Sequence, residues 1–321
     1  MRVLVTGAGD YLGGRLLDAL GAGLPADGRI LGIDRGARAS SRAAARAGID
    51  YAAVDPLDGA ALASALARLD PTVVVHVAAL ASVAESSRTP ALAWRADLLG
   101  SLNLAEAVGR ICPGARFVFV SSTEVYGEAS SRDEPLDEAT PPRPCNIFGR
   151  TKNACEAILR DVLTSARVGH VVLRPSNYIG PGQSEMFVAS SFAAQIARIE
   201  RGLDPAVLEV GDLTVARDFI DVADVATACH AAIARGSDLP DGGVFNVSSS
   251  VATPVSEILD ILRGLAHAPF DVRVVGERLR SAEVRSVRCD ASAFTAATGW
   301  RPRVPLRQSL AAILEDARGR A

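Results

Sequence analysis

Along the first half of the chain, short apolar runs rich in β-branched residues alternate with longer stretches where alanine and leucine recur at helical spacing. Val3–Val5, Arg29–Ile33, Val73–His76, Phe117–Val120 and Val171–Leu173 read as strands. Their near-continuous apolar character is what strands covered on both faces of a parallel sheet require. Between them the periodicity predicts helices near 12–22, 59–69, 91–110 and 146–166. This alternation predicts an α/β fold built on a doubly wound parallel sheet.

After about residue 174 the pattern loosens. Pro175 and Gly180-Pro181-Gly182 interrupt it, and a helix is predicted over Ser190–Arg201. Arg217-Asp218-Phe219-Ile220-Asp221-Val222 leads into a helix over Val222–Ala234, and Val244–Val247 reads as one more strand of the sheet. The last 70 residues carry two amphipathic patterns and a proline-rich connector from Trp300 to Pro305. The expected division is 1–174 with about 216–250 as one domain, and 175–215 with 251–321 as a smaller lobe over the carboxyl ends of the strands.

Charge narrows the function classes. The 34 basic and 37 acidic residues nearly cancel, leaving a formal net charge of −3 with no block of one sign. The basic footprint of a nucleic-acid or membrane-surface protein is missing. No apolar run approaches the roughly 18 residues of a spanning helix. The five cysteines and four histidines are scattered, without metal-ligand spacing, so no metal site is expected. The chain begins directly on a strand with no signal peptide, and reduced thiols in the cytoplasm are the expectation.

The first strand runs into Thr6-Gly7-Ala8-Gly9-Asp10-Tyr11-Leu12-Gly13-Gly14 and then a helix. Such a turn brings backbone N–H groups and a positive helix end up to a diphosphate, which makes Gly7, Gly9, Asp10, Tyr11 and Leu12 candidates for dinucleotide binding. Asp10 stands where a middle glycine would allow the diphosphate close. Its carboxylate is expected to cap the helix and to repel phosphate. The second strand ends at Asp34, where a carboxylate accepts both ribose hydroxyls and favours NAD; Arg35 beside it leaves NADP as the second option. The chain's only lysine, Lys152, falls in Pro144-Cys145-Asn146-Ile147-Phe148-Gly149-Arg150-Thr151-Lys152. A compact ammonium there, among arginines everywhere else, points to a catalytic or cofactor-gripping role.

With Asp55-Pro56-Leu57-Asp58, His76-Val77-Ala78-Ala79, Ser121-Ser122-Thr123-Glu124-Val125-Tyr126-Gly127 and Arg174-Pro175-Ser176-Asn177, these stretches carry a resemblance over essentially the whole chain. It is to the extended short-chain dehydrogenase/reductases, the NAD-dependent nucleotide-sugar epimerase/dehydratase family. The second half, through Gly180-Pro181-Gly182-Gln183-Ser184, Phe187-Val188, Arg217–Val222, Leu279–Val284 and Thr298–Pro302, resembles the GDP-4-keto-6-deoxy-D-mannose reductases and related GDP-mannose dehydratases. The resemblance implies a Rossmann-type domain with a smaller C-terminal substrate lobe. It implies that Asp55 and Pro56 meet the adenine, that Ala78, Ala79 and Ala81 line the cofactor, and that Pro175 lies by the nicotinamide. It further implies that Ser82, Asn177, Phe187 and Val188 meet the substrate, that Arg217 and Arg280 hold its diphosphate, and that Glu283 meets its ribose. The implied partners are a nucleotide sugar, GDP-linked, and a second copy of the chain in a homodimer through the helices near 91–110 and 146–166.

In that family a Ser or Thr, a Tyr and a Lys act together, the tyrosine one helical turn before the lysine. Ser122 and Lys152 match, but the tyrosine position holds Phe148, which carries no proton to exchange. Substitutes are Tyr178, beside the Asn177 loop, Glu124, or water; Tyr126 reads as structural. Thr123 stands where dehydratases of the family carry an aspartate, which disfavours a 4,6-dehydratase. Three readings stay open: a 4-ketoreductase of a GDP-linked 6-deoxy sugar, an epimerase or lyase-type enzyme with tightly held NAD, and a catalytically silent sugar-nucleotide-binding protein.

Overall fold

The computed structural model describes residues 1–36, 48–77, 83–131, 134–236, 238–276 and 284–321. The chain opens with β1 (Arg2–Thr6), α1 (Tyr11–Ala22), β2 (Arg29–Asp34), β3 (Ile49–Ala53), α2 (Gly59–Leu69) and β4 (Val73–His76). α3 (Val83–Arg88), α4 (Pro90–Trp94), α5 (Gly100–Ile111), β5 (Arg116–Val120), α6 (Ile147–Ser165) and β6 (His170–Pro175) follow. The second half holds β7 (Asn177–Ile179), α7 (Val188–Glu200), β8 (Val207–Val210), β9 (Ala216–Asp221), α8 (Val222–Ala234) and β10 (Gly243–Val247). β11 (Ala252–Pro254), α9 (Val255–Arg263), β12 (Asp271–Val274), α10 (Ser292–Thr298) and α11 (Leu306–Arg320) complete it.

The main sheet has seven strands among the described residues, in the order β10-β6-β5-β4-β1-β2-β3, and every pair in it is parallel. Side chains alternate between its two faces. Val3 and Val5 pack with Leu12, Leu16 and Leu20 of α1 and Val225 of α8, whereas Leu4 packs with Leu62 of α2, Leu104 of α5 and Leu159 of α6. Burying each such side chain is worth about 1.5–3 kcal/mol, so a strand with no polar face is stable only where helices cover both sides. The strand order reverses between β1 and β4, whose carboxyl ends meet at the Thr6–His76 pair. Chain connections leave that point in opposite directions and open a crevice, the usual ligand position in such sheets.

The expected strands and most of the expected helices stand within a residue or two of the predicted bounds. The predicted single helix over 91–110 does not form. It is α4, a π-helical turn over Arg95–Leu99, and α5. The widened turn surrounds Asp97, a buried carboxylate that accepts from the Thr151 hydroxyl at 2.7 Å, while Ser101 Oγ donates back to Asp97 O at 2.5 Å. Side-chain bonds of this kind compete with the regular ladder.

β3 was missed because it is an edge strand with only one covered side, and its Ile-Asp-Tyr-Ala-Ala sequence lacks the apolar run of its neighbours. The second half also holds more strands than predicted. β11-β9-β7 form one small sheet, with β11 antiparallel to β9, and β12-β8 form a parallel pair. These strands are only three to six residues long. The last part carries three helices rather than two. Phe192 and Ile196 of α7, Leu208 of β8, Ile258 and Leu262 of α9, and Leu310 and Leu314 of α11 build a core separate from the two beside the main sheet. Among the described residues no helix is long and apolar enough to cross a membrane.

Candidate active site

α6 starts on a cap that ties it to the loop after β5. Asn146 is the N-cap; its side-chain oxygen accepts from Gly149 N at 2.8 Å, and its amide donates to Glu124 Oε2 at 2.7 Å. Gly149 must lack a side chain, because a Cβ there would lie 2.4 Å from Glu124 O. Lys152 follows within the first two turns and is 4% exposed. Its Nζ donates to Val120 O at 2.8 Å and lies 5.0 Å from the Phe119 ring centroid and 5.9 Å from that of Phe148. No carboxylate pairs with it among the described residues. Burial therefore lowers its pKa, opposed in part by the charges of Asp97, Glu156 and Asp10.

One cleft at the carboxyl ends of the strands is lined by Asp10, Tyr11 and Leu12, by Ser122, Thr123 and Glu124, by Phe148 and Lys152, and by Asn177, Tyr178, Phe187 and Val188. The expected catalytic set is thus brought together around Phe148. Ser122 is half-buried, and its Oγ accepts from Glu124 N at 3.2 Å, leaving its proton free for a ligand. The Thr123 hydroxyl is taken up by the Cys289 thiol. Tyr178 stacks on Tyr11 with ring centroids 6.2 Å apart. Its hydroxyl has no hydrogen-bond partner among the described residues, and burial pushes its pKa up to about 12, so it stays protonated at neutral pH. The Asn177 amide is likewise without a protein partner among the described residues. Tyr126 is structural, as expected: it is fully buried, donates to Asn246 Oδ1 at 2.8 Å and accepts from Arg174 at 3.0 Å.

At the other end of the cleft Gly7 turns with φ +66°, and a Cβ on Gly13 would lie 1.9 Å from Gly7 O, so α1 packs directly on the turn. Asp34 at the end of β2 accepts from Gly9 N at 3.1 Å and from Gly36 N at 3.5 Å, and Arg35 is exposed beside it. This tight turn, the helix start behind it and a terminal carboxylate are a cradle of the shape a dinucleotide requires. Asp10 is the one poor fit. Contrary to expectation its carboxylate makes no capping bond to α1, and Asp10 is one of the residues lining the cleft. Burial, then the Asp34 charge, pushes its pKa up to about 6.

Other expected residues lie outside this lining. Asp55 is exposed and accepts from Leu57 N at 2.9 Å, and Pro56 O accepts from the Asn103 amide at 3.1 Å. Arg217, on β9, donates to Ala216 O at 2.8 Å. Pro175 is buried at the end of β6, next to the cleft residue Ser176. Ala78, Ala79, Ala81, Ser82, Arg280 and Glu283 lie outside the described residues.

Sequence reasoning missed the supports. Glu156, one turn after Lys152, forms a buried bidentate pair with Arg174 at 3.0 and 2.6 Å and accepts from Ser121 Oγ at 2.5 Å. His76 is enclosed between Thr6 Oγ1 at 2.7 Å and Ser101 Oγ at 2.8 Å, and burial, with the Lys152 charge, lowers its pKa to about 3, so it stays neutral. The one available signal was Asn146, a good cap residue at the first position of the predicted helix. Among the described residues no group of three or more His, Cys, Asp or Glu could hold a metal ion.

A glycine turn at the switch point of a doubly wound sheet, with a buried lysine one strand away, defines a nucleotide-dependent enzyme of the short-chain dehydrogenase/reductase kind. The chain belongs to the NAD dependent epimerase/dehydratase family, whose profile matches residues 3–248. Among its relatives is the GDP-6-deoxy-D-mannose reductase of Pseudomonas aeruginosa, 37% identical over 246 residues that cover 77% of this chain and 80% of the relative. The structure of RMD from Pseudomonas aeruginosa complexed with NADPH is 32% identical, with a TM-score of 0.85 and 100% of both chains covered. The UDP-glucose 4-epimerase of Thermus thermophilus complexed with NAD is 30% identical, with a TM-score of 0.84 over 100% of both chains.

Proposed function

We propose that this protein is an NAD(P)-dependent nucleotide-sugar reductase acting on the 4-keto group of a GDP-linked 6-deoxy sugar. One observation carries the reading: the Ser122 and Tyr178 hydroxyls line the same cleft as the buried Lys152 ammonium. The likeness to a GDP-6-deoxy-D-mannose reductase selects the substrate class. A bound nicotinamide supplies the hydride. Lys152 grips its ribose hydroxyls through the protons Val120 leaves free, and Asp34 takes the adenosine ribose. Pro175 would meet the nicotinamide end, and Asp55, Pro56, Ala78, Ala79 and Ala81 would complete the cofactor's surroundings.

The Ser122 hydroxyl polarises the keto oxygen. Tyr178 then delivers the proton that Phe148 lacks, because its hydroxyl is protonated and free of protein partners. Glu124, anchored by Asn146, orients a sugar hydroxyl. Ser82, Asn177, Phe187 and Val188 hold the sugar, and Arg217, Arg280 and Glu283 the nucleotide. In this reading residues 1–174 with 216–250 bind the cofactor, and 175–215 with 251–321 form the substrate lobe, supported by that lobe's separate core. The protein works in the cytoplasm as a homodimer through α4–α5 and α6; its five cysteines are free thiols.

The test is incubation with GDP-4-keto-6-deoxymannose and NADH or NADPH, following the reduced nicotinamide band. Consumption with formation of the 4-hydroxy product is expected. No consumption by the native chain, with recovery in Phe148→Tyr, overturns the role given to Tyr178; none in either overturns the substrate. A second reading, a nucleotide-sugar 4-epimerase, is favoured by the chain's full-length likeness to UDP-glucose 4-epimerases, such as that of Mycolicibacterium smegmatis at 29% identity over 100% of both chains. NAD that co-purifies, with sugar interconversion and no net consumption, selects it.

A further inference from the structure

The residue before the first turn of α1 is where a glycine turn lets a dinucleotide's diphosphate come closest to the backbone. Here that residue is Asp10. Its backbone N–H donates to Gly7 O at 3.0 Å, which fixes it in the turn, and the half-buried residue lines the cleft with Tyr11, Tyr178 and Lys152. Among the described residues no donor reaches that carboxylate. A diphosphate laid on the start of α1 would therefore face a negative charge that no hydrogen-bond donor holds, in a partly desolvated crevice where repulsion is several times stronger than in water.

We infer that the dinucleotide enters this cleft only with Asp10 protonated, so that cofactor binding takes up one proton and Asp10 sets its pH dependence. The inference rests on the dinucleotide reading of the cleft given above. The charged groups around Asp10 allow it. Asp34 at the end of β2 and Glu85 on α3 favour the proton, while Arg35 and the Lys152 ammonium on α6 oppose it. Tyr51 on β3 and Tyr178 on β7 feel its charge, but burial holds both phenols protonated. Burial is the largest influence, and the balance sets Asp10 to titrate near pH 6 in the free protein. The neutral carboxyl also changes role: its O–H becomes a donor that a phosphate oxygen can accept.

The sign follows from linkage. Below pH 6 the carboxyl already carries its proton and affinity is at its maximum. Above pH 6 each bound dinucleotide must draw a proton from solution, so the apparent Kd rises about tenfold per pH unit, roughly 50-fold between pH 6 and pH 8. NADH is the proper probe, since the 2′-phosphate of NADPH titrates in the same range. The experiment is NADH titration of the full chain from pH 5.5 to 8.5, followed by nicotinamide fluorescence, with calorimetry in two buffers of different ionisation enthalpy to count protons.

Native protein should weaken by that factor and take up close to one proton at pH 8. Asp10→Asn, nearly isosteric, should bind with an affinity flat in pH, and Asp10→Gly should bind more tightly than native at pH 8. A native profile flat in pH, or an Asp10→Asn profile as steep as the native one, overturns the inference while leaving the cleft a dinucleotide site. NADH binding by none of the three, each shown folded by its thermal unfolding, overturns the dinucleotide reading and the inference with it.

Discussion

At the scale of single residues the proposed activity turns on a missing hydroxyl and on the group assigned to replace it. Phe148 packs its ring toward the Lys152 ammonium and cannot exchange a proton. Tyr178→Phe should lower kcat by about 10²–10⁴ with KM changed much less, the cost of losing a positioned acid. Adding Phe148→Tyr to that variant should restore a large part of the loss, by placing a phenol one turn before Lys152. Steady-state kinetics on the 4-keto sugar checks both; a Tyr178→Phe rate within threefold of native sinks the assignment. Lys152→Arg is not a conservative change at a site 4% exposed between two rings. The larger planar guanidinium does not fit the slot, and NADH affinity should fall about tenfold or more by fluorescence titration. Lysine and phenylalanine identities were readable from the chain, and Tyr178 was one of three substitutes it offered; that its hydroxyl is buried without a partner was not, because that depends on how β7 packs against α1.

The elements depend on polar ties that no periodicity reveals. α6 is held to β6 by Glu156 and Arg174, both nearly inaccessible, with side-chain exposures of 2% and 5%. Removing one partner leaves a buried charge uncompensated, so Arg174→Met should cost about 3–5 kcal/mol, read as a lower urea midpoint. Glu156→Leu together with Arg174→Met should recover much of that stability; a double variant as unstable as the sum of the singles counts against the pair as the cause. At the start of the same helix, Asn146→Ala removes the cap and should cost about 1 kcal/mol. It also frees Glu124, so substrate KM should rise more than stability loss alone explains. The pattern showed where α6 runs, but not its partners, since Arg174 and Glu156 meet only when β6 and α6 are packed.

Over the whole molecule, the parallel sheet was readable because its inner strands are apolar on both faces, whereas its switch point between β1 and β4 came only from the strand order. The small sheets of the second half were not, since strands of three or four residues fall below the length at which alternation can be counted. The assembly is tested at this scale too. Leu92, Trp94 and Leu99, on α4 and the π-helical turn, expose 44%, 37% and 43% of their surface. Trp94→Glu should convert a sedimenting dimer to a monomer without loss of NADH binding; a native chain that sediments as a monomer at micromolar concentration removes the homodimer from the reading.

By itself the sequence determined the α/β class, the positions of most main strands along the chain, the glycine turn, the lone lysine and the two departures at Asp10 and Phe148. These are local facts: an apolar run, a spacing or the identity of one residue. Tertiary structure decided what those departures mean. It left the Asp10 carboxylate without the capping bond it was expected to make and placed the residue in the cleft lining, brought Tyr178 into the same lining as Ser122 and Lys152, and left Arg217 outside it. Burial and the convergence of distant elements control which groups keep a proton and which face a ligand, and neither exists until the strands are side by side.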